Sequence, residues 1–169
     1  MKIDRLTPPD FPALSNAEIA NWLRIDPDHE PEILNMLVGS ATEYIEGLTG
    51  LSIGRSTYCV TLDGLCDVFR LPLEPIQSVT SVEYIDRSGV VQPITDWHYV
   101  AGYLCFATAP CGFPIVTLVA GYSDPQMVPT ALAHAIAVLV SSGYNAREEM
   151  TDQTAKTVER LCQRHKRYW

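Results

Sequence analysis

Hydrophobic positions along this chain change period twice, from helical to alternating near Gly50 and back to helical near Pro129. The spacing around each change predicts the elements. Residues up to about Leu14, with Pro8, Pro9 and Pro12, read as an extended arm. Ser15 and Glu18 then form a capping box, the serine accepting from the N3 backbone N–H while the glutamate reaches back to the N-cap. A short helix follows with Ile19, Trp22 and Leu23 on one face, ending near Ile25 because Asp26 precedes Pro27. Asp28, Glu30 and Glu32 form the acidic approach to a second helix, where negative charge favours the helix dipole. That helix runs to about Leu48, carrying Ile33, Leu34, Leu37, Val38, Ala41, Tyr44, Ile45 and Leu48 as a broad apolar stripe, with Gly50 at the expected C′ position.

From Ile53 to Tyr122 the chain reads as β. Tyr58, Val60 and Leu62 alternate with polar neighbours, and Asp63-Gly64 predicts a tight turn into a strand over Val68 to Leu71. Two prolines in the segment 71–75 interrupt the sheet before a strand over Ser78 to Ile85. The turn from Asp86 to Gly89 returns the chain along Val90 to Ile94, and Ala101-Gly102 links Trp97–Val100 to Tyr103–Ala107. A last strand over Ile115 to Ala120 leads into the longest apolar segment.

That segment begins at Val128 to Thr130, since Pro129 fits a first helical turn. Leu132, Ala135, Ile136, Leu139 and Val140 recur at helical spacing, and Ala131, Ala133, Ala137 and Val138 make the other face nearly as apolar. About 18 residues at ~1.5 Å each span ~27 Å, but His134, Ser141, Ser142, Gly143 and Asn145 argue against a membrane span. It reads as a core helix with one face available to a neighbouring subunit, and His134 as a hydrogen-bonded core histidine. A final helix over about Thr151 to His165 has a thin apolar side of Ala155, Val158, Leu161 and Cys162, so little holds it on its own chain. The fold class is α+β: one domain with a core of about four helices and an antiparallel, hairpin-rich β insertion. Its parts are the arm and two helices (1–50), the β insertion (53–122), the long core helix (128–149) and the C-terminal helix with its tail (151–169).

Composition narrows the function classes. The chain has 169 residues, 47% hydrophobic and 19% charged, as a folded domain requires, and its net charge of -8 excludes an overall nucleic-acid clamp. Positive charge concentrates at the end, where Arg160, Arg164, Lys166 and Arg167 precede Tyr168-Trp169 with no acid among them. Five cysteines, none at CxxC spacing, and an N-terminus without an apolar export region point to free thiols in a reducing cytoplasm.

Catalytic and metal chemistry find no pattern. Cys59, His98 and Asp96 lack a local nucleophile signature, and His29, His98, His134 and His165 are scattered. Gly47, Gly50 and Gly54 follow a helix, whereas a phosphate loop lies between strand and helix. Asp26, Asp28, Glu30 and Glu32 lack a calcium loop's central glycine and read as a solvated helix start. Trp22 and Trp97 read as packing residues. No enzyme activity, cofactor or metal is expected.

Several segments in this order resemble a known family: WLRID with acidic residues after it, SATEYIEGLTG, LPLEPIQSVTSVEYIDRSG, and AGY followed by VP and a helix ending NARE. Together they resemble the head-tail connector (adaptor) proteins of tailed bacteriophages, over nearly the whole chain. The resemblance implies a non-enzymatic virion protein at the head-tail interface, assembled in the host bacterial cytoplasm as a closed ring of about twelve subunits beneath the portal. Its partners would be the portal protein and the next connector (stopper) or a tail-completion protein, with genomic DNA passing through the channel without sequence-specific binding and no membrane involved. Arg164, Lys166, Arg167, Tyr168 and Trp169 would dock on the portal, and Arg147, Glu148 and Glu149 would contact the neighbouring subunit. A tail-side completion protein of the same phage is the alternative, and a cytoplasmic small-molecule-binding or hydrolytic protein with a pocket between helices and sheet is the rival from another class.

Overall fold

A computed structural model of the chain describes residues 1–63, 66–86, 88–108, 112–146 and 151–167. They divide into a β unit of residues 1–10 and 55–121 and a helical unit of residues 11–54 and 122–169.

The helical unit begins with α1 (Asn16–Leu23), whose capping box forms as the sequence implies: Ser15 Oγ accepts from the Glu18 N–H, and the Glu18 carboxylate accepts from the Ser15 N–H at 2.8 Å. The helix stops earlier than its apolar pattern suggests. Arg24 turns into the left-handed region at φ 59°, and the Ile25 N–H reaches back to the Ala20 carbonyl. Pro31 opens α2 (Pro31–Thr49), and Gly50, at φ 73°, closes it by donating to the Glu46 carbonyl. Leu34, Val38, Ala41, Ile45 and Thr49 form its buried stripe. That stripe is narrower than expected, because Ile33 and Tyr44 face outward, as does Met36 beside them.

A single 3-10 turn at Pro125–Met127 precedes α3 (Thr130–Ala146), where the Pro129 carbonyl accepts from the N–H groups of Leu132 and Ala133. Leu132, Ala135, Ile136, Ala137 and Val140 are buried against α2 and α1. The expected end of this helix at Glu149 lies outside the described residues. His134 is not a core histidine; it faces outward. The last helix, α4 (Asp152–Cys162), starts with the Thr154 N–H donating to Thr151 Oγ1 and ends three residues short of His165. It is firmly held: Val158 and Cys162 have no exposed surface, α4 packs on α3, and beyond it the Arg167 N–H donates to the Thr49 carbonyl at 2.9 Å. Two well-placed residues suffice to seat a helix whose other faces are polar.

The β unit holds two antiparallel sheets. The larger has the order β1 (Lys2–Arg5), β2 (Ser56–Thr61), β8 (Pro114–Ala120), β4 (Ile76–Ile85), β5 (Val91–Pro93); the smaller has the order β3 (Val68–Arg70), β7 (Tyr103–Phe106), β6 (Trp97–Val100). Alternation buries Tyr58, Val60, Val116 and Leu118 of one sheet in a common core with Phe69, Leu104 and Phe106 of the other. Phe69 and Phe106 meet edge to face, with ring centroids 5.9 Å apart. The β4–β5 and β6–β7 hairpins form as expected. The expected hairpin across Asp63 does not: β2 pairs with β1 and β8, whereas β3 joins the other sheet through β7. The start of the presumed arm is itself a strand, fixed by Arg5, whose guanidinium donates to the hydroxyl of its cross-strand partner Tyr58 at 2.7 Å.

Candidate assembly surfaces

On the helical unit, α1 and α3 leave an open groove of about 580 Å³, floored by Ala131, Ala133 and Ala137. Small side chains at helical spacing create the depression, and Trp22 borders it with 49% of its surface exposed. The Trp22 ring meets His134 edge-on at 5.5 Å, so two residues read from sequence as core packing line a surface. Trp22 also borders a second hollow of about 310 Å³, where Ser141, Ser142 and Asn145 of α3 approach Thr154 of α4. The signal for this surface was present in the second apolar face of α3, which α2 does not cover.

A different chemistry marks α4. Lys156, Arg160 and Lys166 surround a shallow hollow of about 320 Å³ together with Glu159 and Gln163. Of the basic tail residues, Lys166 is half-buried at this hollow, while Arg164 and Arg167 are exposed and do not line it. Tyr168, Trp169, Arg147, Glu148 and Glu149 lie outside the described residues.

The remaining candidates are not assembled into a site. Cys59 sits on β2, but His98 lies on β6 of the other sheet, in register with Cys105. Asp26 accepts the Asp28 N–H and makes the turn before α2, the solvated role its sequence implied. Trp97 is half-buried against the β core. Among the described residues no group of three or more His, Cys, Asp or Glu is placed to hold a metal ion, and no helix is long and apolar enough to cross a membrane. The pKa of Asp86 is lowered to about 2, chiefly by the Ser88 hydroxyl and then by the Val90 N–H, which makes it a turn-forming carboxylate. Burial pushes the Cys162 thiol up, with the Lys166 ammonium acting in the opposite direction.

No family model matches the chain, and no curated protein matches it. Solved structures do. The neck of an empty gene transfer agent particle computed with C6 symmetry contains a chain that is 23% identical, matched over 100% of this chain and 97% of its own length with a TM-score of 0.86. The neck of the native particle computed with C12 symmetry and the virion of the native particle match over the same shares at 23% identity, with TM-scores of 0.82 and 0.81. From end to end, this chain has the fold of a protein in the neck of gene transfer agent particles.

Proposed function

We propose that this protein is a structural head-tail connector of a tailed phage or phage-like particle, located in the virion at the head-tail interface. The observation that carries the reading is the fold match to a neck protein over the entire chain. The segment order of the sequence supports the same assignment independently. The C6 and C12 symmetry of the neck reconstructions supports a ring of identical copies. The protein acts by assembly and docking, without catalysis or a cofactor.

In this reading the ring lies beneath the portal, extends the DNA channel and offers a platform to the next connector or tail protein. An overall charge of -8 suits a channel that must let phosphates slide past. Portal docking falls to the basic end, with Arg164, Lys166, Arg167, Tyr168 and Trp169 supplying the arginine and aromatic anchors that interfaces favour. Arg147, Glu148 and Glu149 belong to the contact between neighbouring subunits.

The test is electron microscopy of the protein mixed with the portal protein encoded beside it. A symmetric collar on the outer end of the portal is expected, and a bare portal with correctly folded protein would overturn the assignment. Truncation at Arg160 is a poor probe of docking, because it removes buried Cys162 and the bond from Arg167 to Thr49. The single substitution Arg164→Glu changes an exposed side chain instead; it should weaken or abolish the collar while leaving the melting temperature unchanged.

A further inference from the structure

We propose that neighbouring copies of this chain meet head to tail through charge, the basic hollow on α4 of one copy receiving the acidic turn between α1 and α2 of the next. This inference rests on the ring reading above and specifies one of its contacts. In a closed ring of more than two identical subunits each interface is heterologous, so one surface of the chain must fit a different surface of its neighbour. The helical unit carries two surfaces of opposite charge.

The basic surface is the face of α4 around its hollow, where Lys156, Arg160 and Lys166 outnumber Glu159. Residues 156, 160 and 163 follow helical spacing, so they share one side of α4, away from buried Val158 and Cys162. The acidic surface is the turn leading into α2, where Asp26, Asp28 and Glu32 are exposed and Glu30 is half-buried. Arg24 is the only lysine or arginine among residues 24–32, against those four acids. Among the described residues, Asp28, Glu32, Lys156 and Arg160 form no ion pair within the chain.

Two bonds set the surfaces apart. Tyr144, near the end of α3, donates its hydroxyl to the Glu30 carboxylate at 3.4 Å, so α3 finishes beside the acidic turn. Helix α4 runs back along α3, and beyond it the Arg167 N–H meets the Thr49 carbonyl at the other end of α2. The hollow therefore extends, through Lys166, toward the end of α2 that lies farthest from Glu30. With 19 residues, α2 separates these ends by about 28 Å. Charges that far apart, at a Debye length of about 8 Å, scarcely neutralise one another within one chain.

Charge also names the occupant. Residues 151–167 carry five lysines and arginines against two acids, so the negative excess of the chain lies entirely outside them. The hollow calls for an acidic partner, and in a ring every neighbour presents one. Two α4 faces would repel each other, as would two acidic turns, so the contact forms only head to tail, the arrangement that a ring needs.

The test uses the full-length chain with charge reversals on each surface, Asp28→Lys with Glu32→Lys in one variant and Lys156→Glu with Arg160→Glu in the other. None of these four residues is assigned to portal docking, and Asp28 enters its turn through the backbone N–H rather than the carboxylate. Sedimentation velocity and native mass spectrometry are run at about 0.1 M and about 1 M salt, between which the Debye length falls from ~10 to ~3 Å. Wild-type protein is expected to assemble at raised concentration in the lower salt and to associate at least about tenfold more weakly in the higher. Each variant alone should stay monomeric. An equal mixture should assemble again with the two variants alternating one to one, because every contact then pairs either two native surfaces or two reversed ones; this recovery also shows that both variants fold. Assembly that survives either reversal, or a mixture of folded variants that stays monomeric, would overturn the contact while leaving the ring in place. A wild-type chain that is monomeric at every concentration and salt would overturn it as well, and the collar on the portal then decides the ring separately.

Discussion

Trp22 and His134 touch across the boundary of α1 and α3 at the surface of the helical unit, with ring planes inclined at 64°. Edge-to-face pairs of this kind contribute about 0.5–1.5 kcal/mol beyond the area they bury. His134→Ala should therefore lower stability by no more than about 1 kcal/mol, because the histidine is exposed. Its clearer effect is local. The indole N–H resonance of Trp22 should shift in an NMR spectrum of the variant while that of half-buried Trp97 stays in place; an unmoved Trp22 signal would mean that the rings do not meet in solution.

Ser15 supplies half of the reciprocal cap on α1, and Glu18 is held below the usual carboxylate range first by the Ser15 hydroxyl and then by its backbone N–H. Removing such a cap costs about 1 kcal/mol. Ser15→Ala should reduce unfolding free energy by that amount in a denaturant titration, whereas Ser15→Asp should retain most of it because aspartate accepts the same N–H.

The turn between β4 and β5 closes on Asp86, whose carboxylate accepts from the Ser88 hydroxyl at 2.5 Å and from the Val90 N–H at 3.0 Å. Its folded pKa of about 2 lies below the ordinary value, so its contribution to stability is present above the unfolded pKa and is lost as pH falls through about 2. Titration of the Asp86 carboxyl by NMR should have its midpoint near that value, and exchange of the Val90 amide should quicken only below it. A midpoint at the ordinary aspartate value of ~3.9 would show that the turn is open in solution.

Seating of α4 on the helical unit predicts a difference between two thiols. Cys66 is exposed, whereas Cys162 has no accessible surface and a pKa raised by burial. A maleimide added to the native protein at mildly alkaline pH should label Cys66 first and Cys162 more than about tenfold more slowly, since reaction needs an accessible thiolate. Val158→Ala should release this protection and lower stability by about 2 kcal/mol, through lost transfer energy and the cavity it leaves. Equal labelling of both thiols in the wild type would contradict the observed packing.

Local signals in the sequence were readable where the forces are local. Ser15 with Glu18, Gly50 after the apolar stripe, and Asp86 to Gly89 between two strands each involve residues close in the chain, and each forms as expected. The failures involve distant partners. Asp63-Gly64 is a good turn sequence, but β2 finds a better neighbour in β8, where Thr61 lies opposite Ile115. Lys2–Arg5 has too little hydrophobic alternation to announce a strand, and it becomes one through pairing with β2. Periodicity also assigned Trp22 to the core, since a pattern identifies an apolar face without saying what covers it. The groove beside Trp22 was legible only as an excess: α3 is apolar on more sides than α2 and α4 can bury.

The helical unit is discontinuous in sequence, with residues 55–121 inserted between α2 and α3. During synthesis from the N-terminus, the β unit has all its strands once Ala120 has been made, while Leu34, Val38 and Ile45 of α2 must wait for Leu132 and Ile136. On a ribosome, α2 therefore exists before the helix that covers its buried stripe. The apolar stripe of α2 stays uncovered for as long as the β unit is being made, and it is buried only after α3 has closed the fold.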